Sequence, residues 1–417
     1  MQKKFSFVAV FVLAAVCFLV ACNKNGFISK KSPVENYTLT FWHWDNWHQE
    51  FYKNIAADYA REHEGVKIKI NIVPYETYTQ EWLKAVENGQ TADVFAIPPE
   101  SLDQFVNSGT LEALTYADLF PEDHKDKLLL DEWKDDKVYA LPGTGSVPVI
   151  FYNKDIYEQN HLVVPETLSD FVTNCIILKQ SSFQPFAMSL SEEGLFNAFD
   201  FASVILANGK SVDDEKEEIQ DFKKVLDNNT GYYDLLGIAM ELSLDKNLCV
   251  KGHQNLLEDF AQNKYAMICG TTEDVAALKE LMSSSFDWFM LPGKDYTKAG
   301  VWKANHMFGA AKNGKTAEEA KRFLSYLLTE ENQLAFSKEF GMLPSVRGLK
   351  PEDKEIRQAY DLLSGKKEVY DSFFQTMSQK ERKICAEELD LIFSGKVTDP
   401  EGFLEEWMKK LQEQSKE

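Results

Sequence analysis

Tyr37-Thr38-Leu39-Thr40-Phe41-Trp42, Val66-Lys67-Ile68-Lys69-Ile70-Asn71-Ile72 and Asp93-Val94-Phe95-Ala96-Ile97 are three short apolar runs. The first is rich in β-branched and aromatic residues, and the second alternates apolar with polar positions, so both read as strands. Between the first two, Phe51, Ile55 and Tyr59 recur at a helical period after Trp47 and stop at Gly65. Between the second and third, Trp82, Leu83 and Val86 do the same and stop near Gly89. Strand, helix, strand, helix, strand is a βαβαβ unit, which predicts an α/β fold with a parallel sheet.

An open parallel sheet binds its ligands beyond the carboxyl ends of its strands. Here those ends carry Trp42, His43, Trp44 and Asp45, then Pro74, Tyr75 and Glu76, then Pro98, Pro99 and Glu100. Aromatic rings and acids therefore gather where a ligand would sit. Farther on, Val138-Tyr139-Ala140-Leu141-Pro142-Gly143-Thr144-Gly145-Ser146 ends in glycines that can absorb backbone rotation, a candidate first passage between two domains. Residues 153–290 read as mostly helical, and Leu291-Pro292-Gly293 marks a second candidate passage.

The amino end has a different character. Lys3 and Lys4 precede an almost unbroken apolar run from Phe5 to Ala21, and Leu19-Val20-Ala21-Cys22 is followed by polar Asn23-Lys24-Asn25. This is the pattern of a bacterial lipoprotein leader: residues 1–21 as signal peptide, Cys22 as the lipidated residue, and residues 22–37 as a linker. A retained membrane-spanning helix is the alternative, at the lower edge of spanning length. The expected location is outside the cytoplasm, lipid-anchored on the periplasmic or cell-surface face.

The roughly 396 remaining residues exceed one compact core and suit two domains. The whole chain holds 45 Lys and Arg against 66 Asp and Glu, a net charge of −21. Nucleic acid and anionic lipid headgroups are poor partners for such a surface, and no nucleic acid is expected. Cys175, Cys249, Cys269 and Cys385 follow no zinc or disulfide-framework spacing, so both free thiols and bridges stay open.

Several short motifs, taken in order, resemble the extracellular solute-binding proteins of bacterial ABC importers, family 1, the sugar-binding group of maltose-binding-like proteins. They are Leu39-Thr40-Phe41-Trp42, Gly89 with Ala92-Asp93-Val94-Phe95, Val138 to Pro142, Tyr152-Asn153-Lys154-Asp155, and Pro165 with Thr167-Leu168 and Phe171. Phe260 with Lys264-Tyr265-Ala266-Met267 and Gly270, the helical Ala317 to Leu328, Gly341-Met342-Leu343-Pro344 and Ser394-Gly395-Lys396 continue the series. The resemblance implies a type II, two-lobe fold, each lobe a mixed, mostly parallel sheet with flanking helices, hinged over a cleft. Lobe one is placed at residues 38–144 and 297–345, and lobe two at 145–296 and 346–417. It also implies a monomer that takes no cofactor, binds a small-molecule carbohydrate, and serves permease subunits in the membrane.

For a sugar, aromatic plates meet the C–H faces and polar side chains meet the hydroxyls. Trp42, Trp44, Tyr75 and Trp302 are the candidate plates; Asp45, Glu76, Glu100, Asn305 and His306 are the candidate hydrogen-bonding groups. Ser146, Thr271 and Thr272 complete the candidate ligand set. Two departures matter. Leu168 stands where family members often carry Trp, and Thr271-Thr272-Glu273 stands where an aromatic often follows Gly270, so Trp44 or Trp302 is expected to take over the stacking.

Other patterns have plainer readings. Gly309-Ala310-Ala311-Lys312-Asn313-Gly314-Lys315-Thr316 matches the phosphate-cradling loop, yet Thr316 with Glu319 also reads as a capping box before Ala320, Phe323, Leu324 and Leu327. His43 and His48 lack a third clustered metal ligand, so no metal site is expected. No carboxylate pair or nucleophile elbow stands out, and no enzyme is expected. A secreted glycan-processing lipoprotein enzyme and a surface adhesin or sensor subunit remain the alternatives to transport.

Overall fold

The computed structural model describes residues 36–120, 127–129, 137–190, 249–292, 299–312, 315–366, 368–372 and 377–414. The leader, Cys22 and most of the linker lie outside the described residues. Strands β1 (Tyr37–His43), β2 (Val66–Ile72) and β3 (Val94–Ile97) alternate with helices α1 (Gln49–Glu62) and α2 (Tyr75–Glu87). Strand β1 runs parallel to both others, Tyr37 opposite Val66 and Phe41 opposite Val94. The residues that follow these strands therefore share one edge of the sheet. A side-chain tie fixes this corner: Asp93 Oδ2 accepts from the backbone N–H and hydroxyl of Thr40, each at 2.7 Å.

After the one-turn 3-10 helix Pro99–Ser101 come α3 (Leu102–Asn107), β4 (Leu114–Thr115), α4 (Tyr116–Leu119) and β5 (Lys137–Val138), with β4 and β5 forming a small ribbon. Strand β6 (Leu141–Ser146) is buried throughout and leads, after the single residue Val147, into β7 (Pro148–Asn153) of a second sheet. Asn153 caps α5 (Lys154–Gln159), its side-chain oxygen accepting from the N–H groups of Asp155 and Ile156. Helix α6 (Leu168–Gln180) opens on a capping box of Thr167 and Asp170, and β8 (Gln184–Leu190) follows.

The segment expected to be mostly helical holds further strands. These are β9 (Cys249–Lys251), β10 (Tyr265–Thr271) and β11 (Phe286–Met290), interleaved with α7 (His253–Ala261) and α8 (Asp274–Leu281). The second sheet has the order β11-β7-β10-β8-β9. Helices still hold most of the ordered positions described in this segment, of which 191–248 lie outside the described residues, and the strands escape periodicity for a physical reason. Ala266, Met267, Ile268 and Cys269 are buried on both faces of the sheet, so the strand shows an apolar run without alternation, which periodicity cannot tell from helix.

Strand β12 (Ala299–Ala310) returns to the first sheet and lies antiparallel to both β3 and β6. Helices α9 (Ala317–Leu327) and α10 (Glu330–Phe340), strand β13 (Leu343–Pro344), α11 (Lys354–Ser364), β14 (Glu368–Asp371), α12 (Gln379–Phe393) and α13 (Pro400–Gln414) complete the chain. The first sheet reads β13-β6-β12-β3-β1-β2, with β14 beside β12. The segment after 345, placed in lobe two from sequence, thus touches the first sheet through β14 before α12 and α13 reach the second core.

Packing follows the two sheets. Phe41, Tyr59, Phe308, Phe323 and Phe336 fill the core between the first sheet and helices α1, α9 and α10. Ile150, Phe186, Met188 and Met267 of the second sheet pack against Cys385, Leu389, Leu404 and Trp407 of α12 and α13. Each buried ring or aliphatic side chain here contributes on the order of 2 kcal/mol through lost water contact. The four described cysteines are free thiols, three of them buried.

The phosphate-loop look-alike also resolves structurally. Gly309 lies within β12 opposite Phe95, and a Cβ there would meet Ile97 Cδ1 at 2.8 Å, so glycine serves close packing of the strand. Thr316 precedes α9 but forms no capping box. Its hydroxyl donates to Asp93 Oδ1 at 2.6 Å, and Glu319 instead accepts from Tyr59 Oη at 2.6 Å and Arg322 Nη1 at 2.9 Å. Asp93, which already holds Thr40, competes successfully for the hydroxyl.

Candidate functional site

The edge beyond β1, β2 and β3 carries most of the candidate residues. Trp44 is half-buried; its ring meets Tyr78 edge-on at 5.1 Å and Tyr75 at 5.5 Å, and lies parallel to His306 at 6.1 Å. Tyr75, the first residue of α2, is exposed and donates its hydroxyl to Glu100 Oε1. Glu100 sits on the 3-10 turn after β3. Trp44, Tyr75, Glu100 and His306 are thus brought together. Glu76 is exposed in the first turn of α2.

Trp42 points to the opposite face of β1 from Phe41 and packs partly buried beside Tyr78 and Phe95. Asp45 is turned inward to its own loop. Oδ1 accepts from the N–H groups of Trp47 and His48 at 3.0 and 3.1 Å, and Oδ2 lies 2.7 Å from His48 Nδ1. That Asx turn fixes the backbone leaving β1.

Strand β12 extends past the end of β3, and so brings Asn305 and His306 to the same edge. Asn305 Nδ2 donates to Glu273 Oε1 at 2.8 Å, tying β12 to the loop after β10. His306 lies between Trp44, Phe340 at 4.6 Å and Thr144, with Asp45 Oδ2 3.9 Å from its Nε2. Burial pulls its pKa down to about 4, with nearby His48 lowering it further and Asp45 opposing. The ring is therefore neutral at pH 7 and can both donate and accept.

Trp302 departs from its expected role. It is 0% exposed in the middle of β12, its ring set against Gly145, where an added Cβ would lie 2.3 Å from the ring. A ring with no open face is no plate in this conformation; it is the packing that holds β12 to β6. Ser146, fully buried on β6, has a hydroxyl without a partner among the described residues. Thr272 is likewise internal: its N–H donates to Val147 O at 3.0 Å, and its hydroxyl accepts from Val147 N–H at 3.1 Å. Thr271, also buried, donates its N–H to Asp274 Oδ2 at 2.8 Å. Thr272 thereby ties the turn after β10 to the residue between β6 and β7.

Sequence reasoning missed two residues. The helical period is expected to run from Trp47, but α1 begins at Gln49 and leaves this ring 96% exposed on the loop that follows Trp44. Arg382, on α12, reaches from the second core to within 3.8 Å of Glu100. Burial lowers its pKa to about 10, Glu100 opposing, so it stays cationic at neutral pH. Nothing local in the sequence marks it; only the packing of α12 does.

One array resembles a nucleophile relay: His253 has Nε2 2.7 Å from Asp274 Oδ1 and Nδ1 3.3 Å from Ser189 Oγ. Ser189 is fully buried, so no carbonyl can approach its oxygen. The array instead joins the carboxyl end of β8 and the first residue of α8 to the start of α7. Among the described residues there is no cluster of His, Cys, Asp or Glu able to hold a metal ion, and no helix long and apolar enough to cross a membrane.

Known proteins share both the sequence pattern and the fold. The chain is 26% identical over 367 residues to the multiple sugar-binding protein of Streptococcus mutans, covering 84% of each chain. It is 29% identical over 173 residues to the galactooligosaccharide-binding protein of Bacillus subtilis, covering 41% of this chain and 39% of that one. The apo form of RafE from Streptococcus pneumoniae shares the fold at a TM-score of 0.72 and 18% identity, over 92% of this chain and 99% of that one. The architecture is accordingly the two-lobed type II binding-protein fold. With the family model matching residues 45–334, the chain belongs to the bacterial extracellular solute-binding proteins.

Proposed function

We propose that the protein is the lipid-anchored receptor of an ABC importer and captures a carbohydrate, an oligosaccharide, in the cleft between its lobes. The observation that carries this reading is the edge beyond β1 to β3. Two aromatic rings, Trp44 and Tyr75, stand there beside Glu100 and His306, with Arg382 approaching from α12 of the second core. Rings meet the C–H faces of a sugar, and the carboxylate, imidazole and guanidinium meet its hydroxyls. The names of the relatives from Streptococcus mutans and Bacillus subtilis agree with a sugar as ligand.

The Lys3-Lys4 leader and Cys22 support secretion and lipidation, which would keep the cleft beside a permease. Lobe one is proposed at 38–144 and 297–345, and lobe two at 145–296 and 346–417. A ligand that touches both lobes only when they close shifts the population toward the closed form, which the permease would read. Periplasmic binding proteins close their domains around ligands in this way.

A thermal-shift screen of the mature protein tests this. Mono- and oligosaccharides are expected to raise Tm by mass action, whereas polyamines, peptides and sugar phosphates leave it unchanged. A shift from any of the latter group and from no saccharide would sink the carbohydrate assignment. For the best saccharide, Trp44→Ala is expected to weaken Kd by tenfold or more while leaving the melt of the free protein within a few degrees, since the ring is only half-buried. Calorimetry reads the first quantity and scanning calorimetry the second; unchanged affinity removes Trp44 from the site.

A further inference from the structure

We propose that Trp47 is the outer plate of an elongated site, stacking on a later ring of an oligosaccharide whose first ring lies against Trp44 and Tyr75. This rests on the carbohydrate reading above and adds the length of sugar that the site measures. Trp44 and Tyr75 meet at 69° with centroids 5.5 Å apart, so they make one corner rather than a row of plates. Trp302, Thr271 and Thr272 are buried and offer a further sugar ring no open face. A longer ligand therefore needs a plate outside the corner.

Single exposed rings are ordinary on protein surfaces, but this one is braced and well placed. The inward face of α1 carries Tyr52, Ile55, Ala56 and Tyr59, and one turn back from Tyr52 that face reaches His48. His48 takes the inner place, its ring 4.4 Å from Phe340 and its Nδ1 2.7 Å from Asp45 Oδ2. Trp47 is turned outward beside it, its backbone N–H held by Asp45 Oδ1 at 3.0 Å. The ring thus stands on a fixed backbone, and only two side-chain torsions are lost when it stacks. Its position follows from the same carboxylate. Asp45 Oδ2 lies 3.9 Å from Nε2 of His306, whose ring is parallel to Trp44, so one carboxylate separates the backbone of Trp47 from the inner corner. Three residues of chain span about 10 Å at most, which sets Trp47 one or two sugar rings beyond Trp44. A saccharide of three or more units that begins at the corner can lay a C–H face on Trp47, whereas a single unit there cannot reach it.

Titration calorimetry on the mature chain tests the plate with two ladders of one to four units, glucose to maltotetraose, and galactose through melibiose and raffinose to stachyose. Wild type is expected to gain affinity with length in at least one ladder. Trp47→Ala should weaken the three- and four-unit sugars of that ladder by tenfold or more and the shorter ones by less than twofold, with the melt of the free protein unchanged. Trp47→Phe, which keeps a smaller plate, should lie between. Acrylamide quenching of tryptophan fluorescence gives an independent reading: the four-unit sugar should shield Trp47 in wild type, and that shielding should vanish in Trp47→Phe. Trp47→Ala affinities equal to wild type at every length, or weakened by the same factor at every length, overturn the outer plate while leaving the carbohydrate reading intact. So does tightest binding to a sugar of one or two units. Normal sugar binding by Trp47→Ala with lost uptake in cells also overturns it, and would assign the ring to a protein partner. No saccharide bound by wild type overturns both readings.

Discussion

Replacing Trp302 with alanine is expected to destabilise the protein by about 3–5 kcal/mol, the range for removing a large aromatic from a closed core. The ring is fully buried, faces Gly145 across β6, and belongs to the apolar cluster beneath the first sheet. Its indole N–H has no hydrogen-bond partner among the described residues, so the loss is one of packing and leaves no polar group stranded. Urea denaturation checks the magnitude: the midpoint should fall with the slope little changed. The converse change is equally informative. Gly145→Ala places a Cβ 2.3 Å from Trp302 Cζ2 and 2.4 Å from Lys303 O, and backbone cannot yield as a flexible side chain does. A Trp302→Ala protein as stable as wild type would show that this ring is not part of the packing between β6 and β12.

Acid should unfold this protein in a window set by two histidines. His43 is buried against Tyr52 with ring centroids 4.2 Å apart, and burial lowers its pKa from 6.5 to about 4, with Asp45 opposing and His306 adding to the fall. His306 is lowered to about 4 by burial as well. The sign follows from linkage. Both rings take up a proton more readily when unfolded, so stability is complete above about pH 6.5 and is lost as pH falls through that value toward 4. Each ring accounts for at most about 3 kcal/mol over the window, and because the two interact the sum is smaller. Chemical denaturation at pH 7.5, 6.0, 5.0 and 4.5 reads the slope. His43→Phe should flatten it and also raise stability at pH 7.5 by about 1 kcal/mol, since both ring nitrogens of His43 lack partners among the described residues. An unaltered slope in that variant would assign the acid sensitivity to carboxylates instead.

Much of the site was legible because topology announces it. Once the runs at 37–42, 66–72 and 93–97 read as parallel strands, Trp44, Tyr75 and Glu100 had to follow their carboxyl ends, and they do. What failed to show was anything decided by a partner far along the chain. Trp302 has polar Lys303 and Asn305 nearby and so is offered as a stacking plate, yet it lies buried within β12, and the space for it is made by Gly145. Gly143 and Gly145 inside an apolar run were the available signal, since a glycine within a strand often marks a close approach by something large. Arg382 carries no local mark at all. Thr316 and Glu319 had the spacing of a capping box, but Asp93 and Tyr59 outcompeted the local pairing.

The position of β12 ties the first sheet to the late part of the chain. Residues 299–310 lie between β3 and β6, so without them the first sheet would be two pieces that do not touch. The outer side of β3 would then be an unpaired edge of buried-type residues, Val94 to Ile97, open to pairing with another chain. Chains truncated before Ala299 are therefore expected to aggregate on refolding, whereas chains that extend past Pro344 let β12 and β13 close the sheet together. One late strand thus protects the edge of an early one.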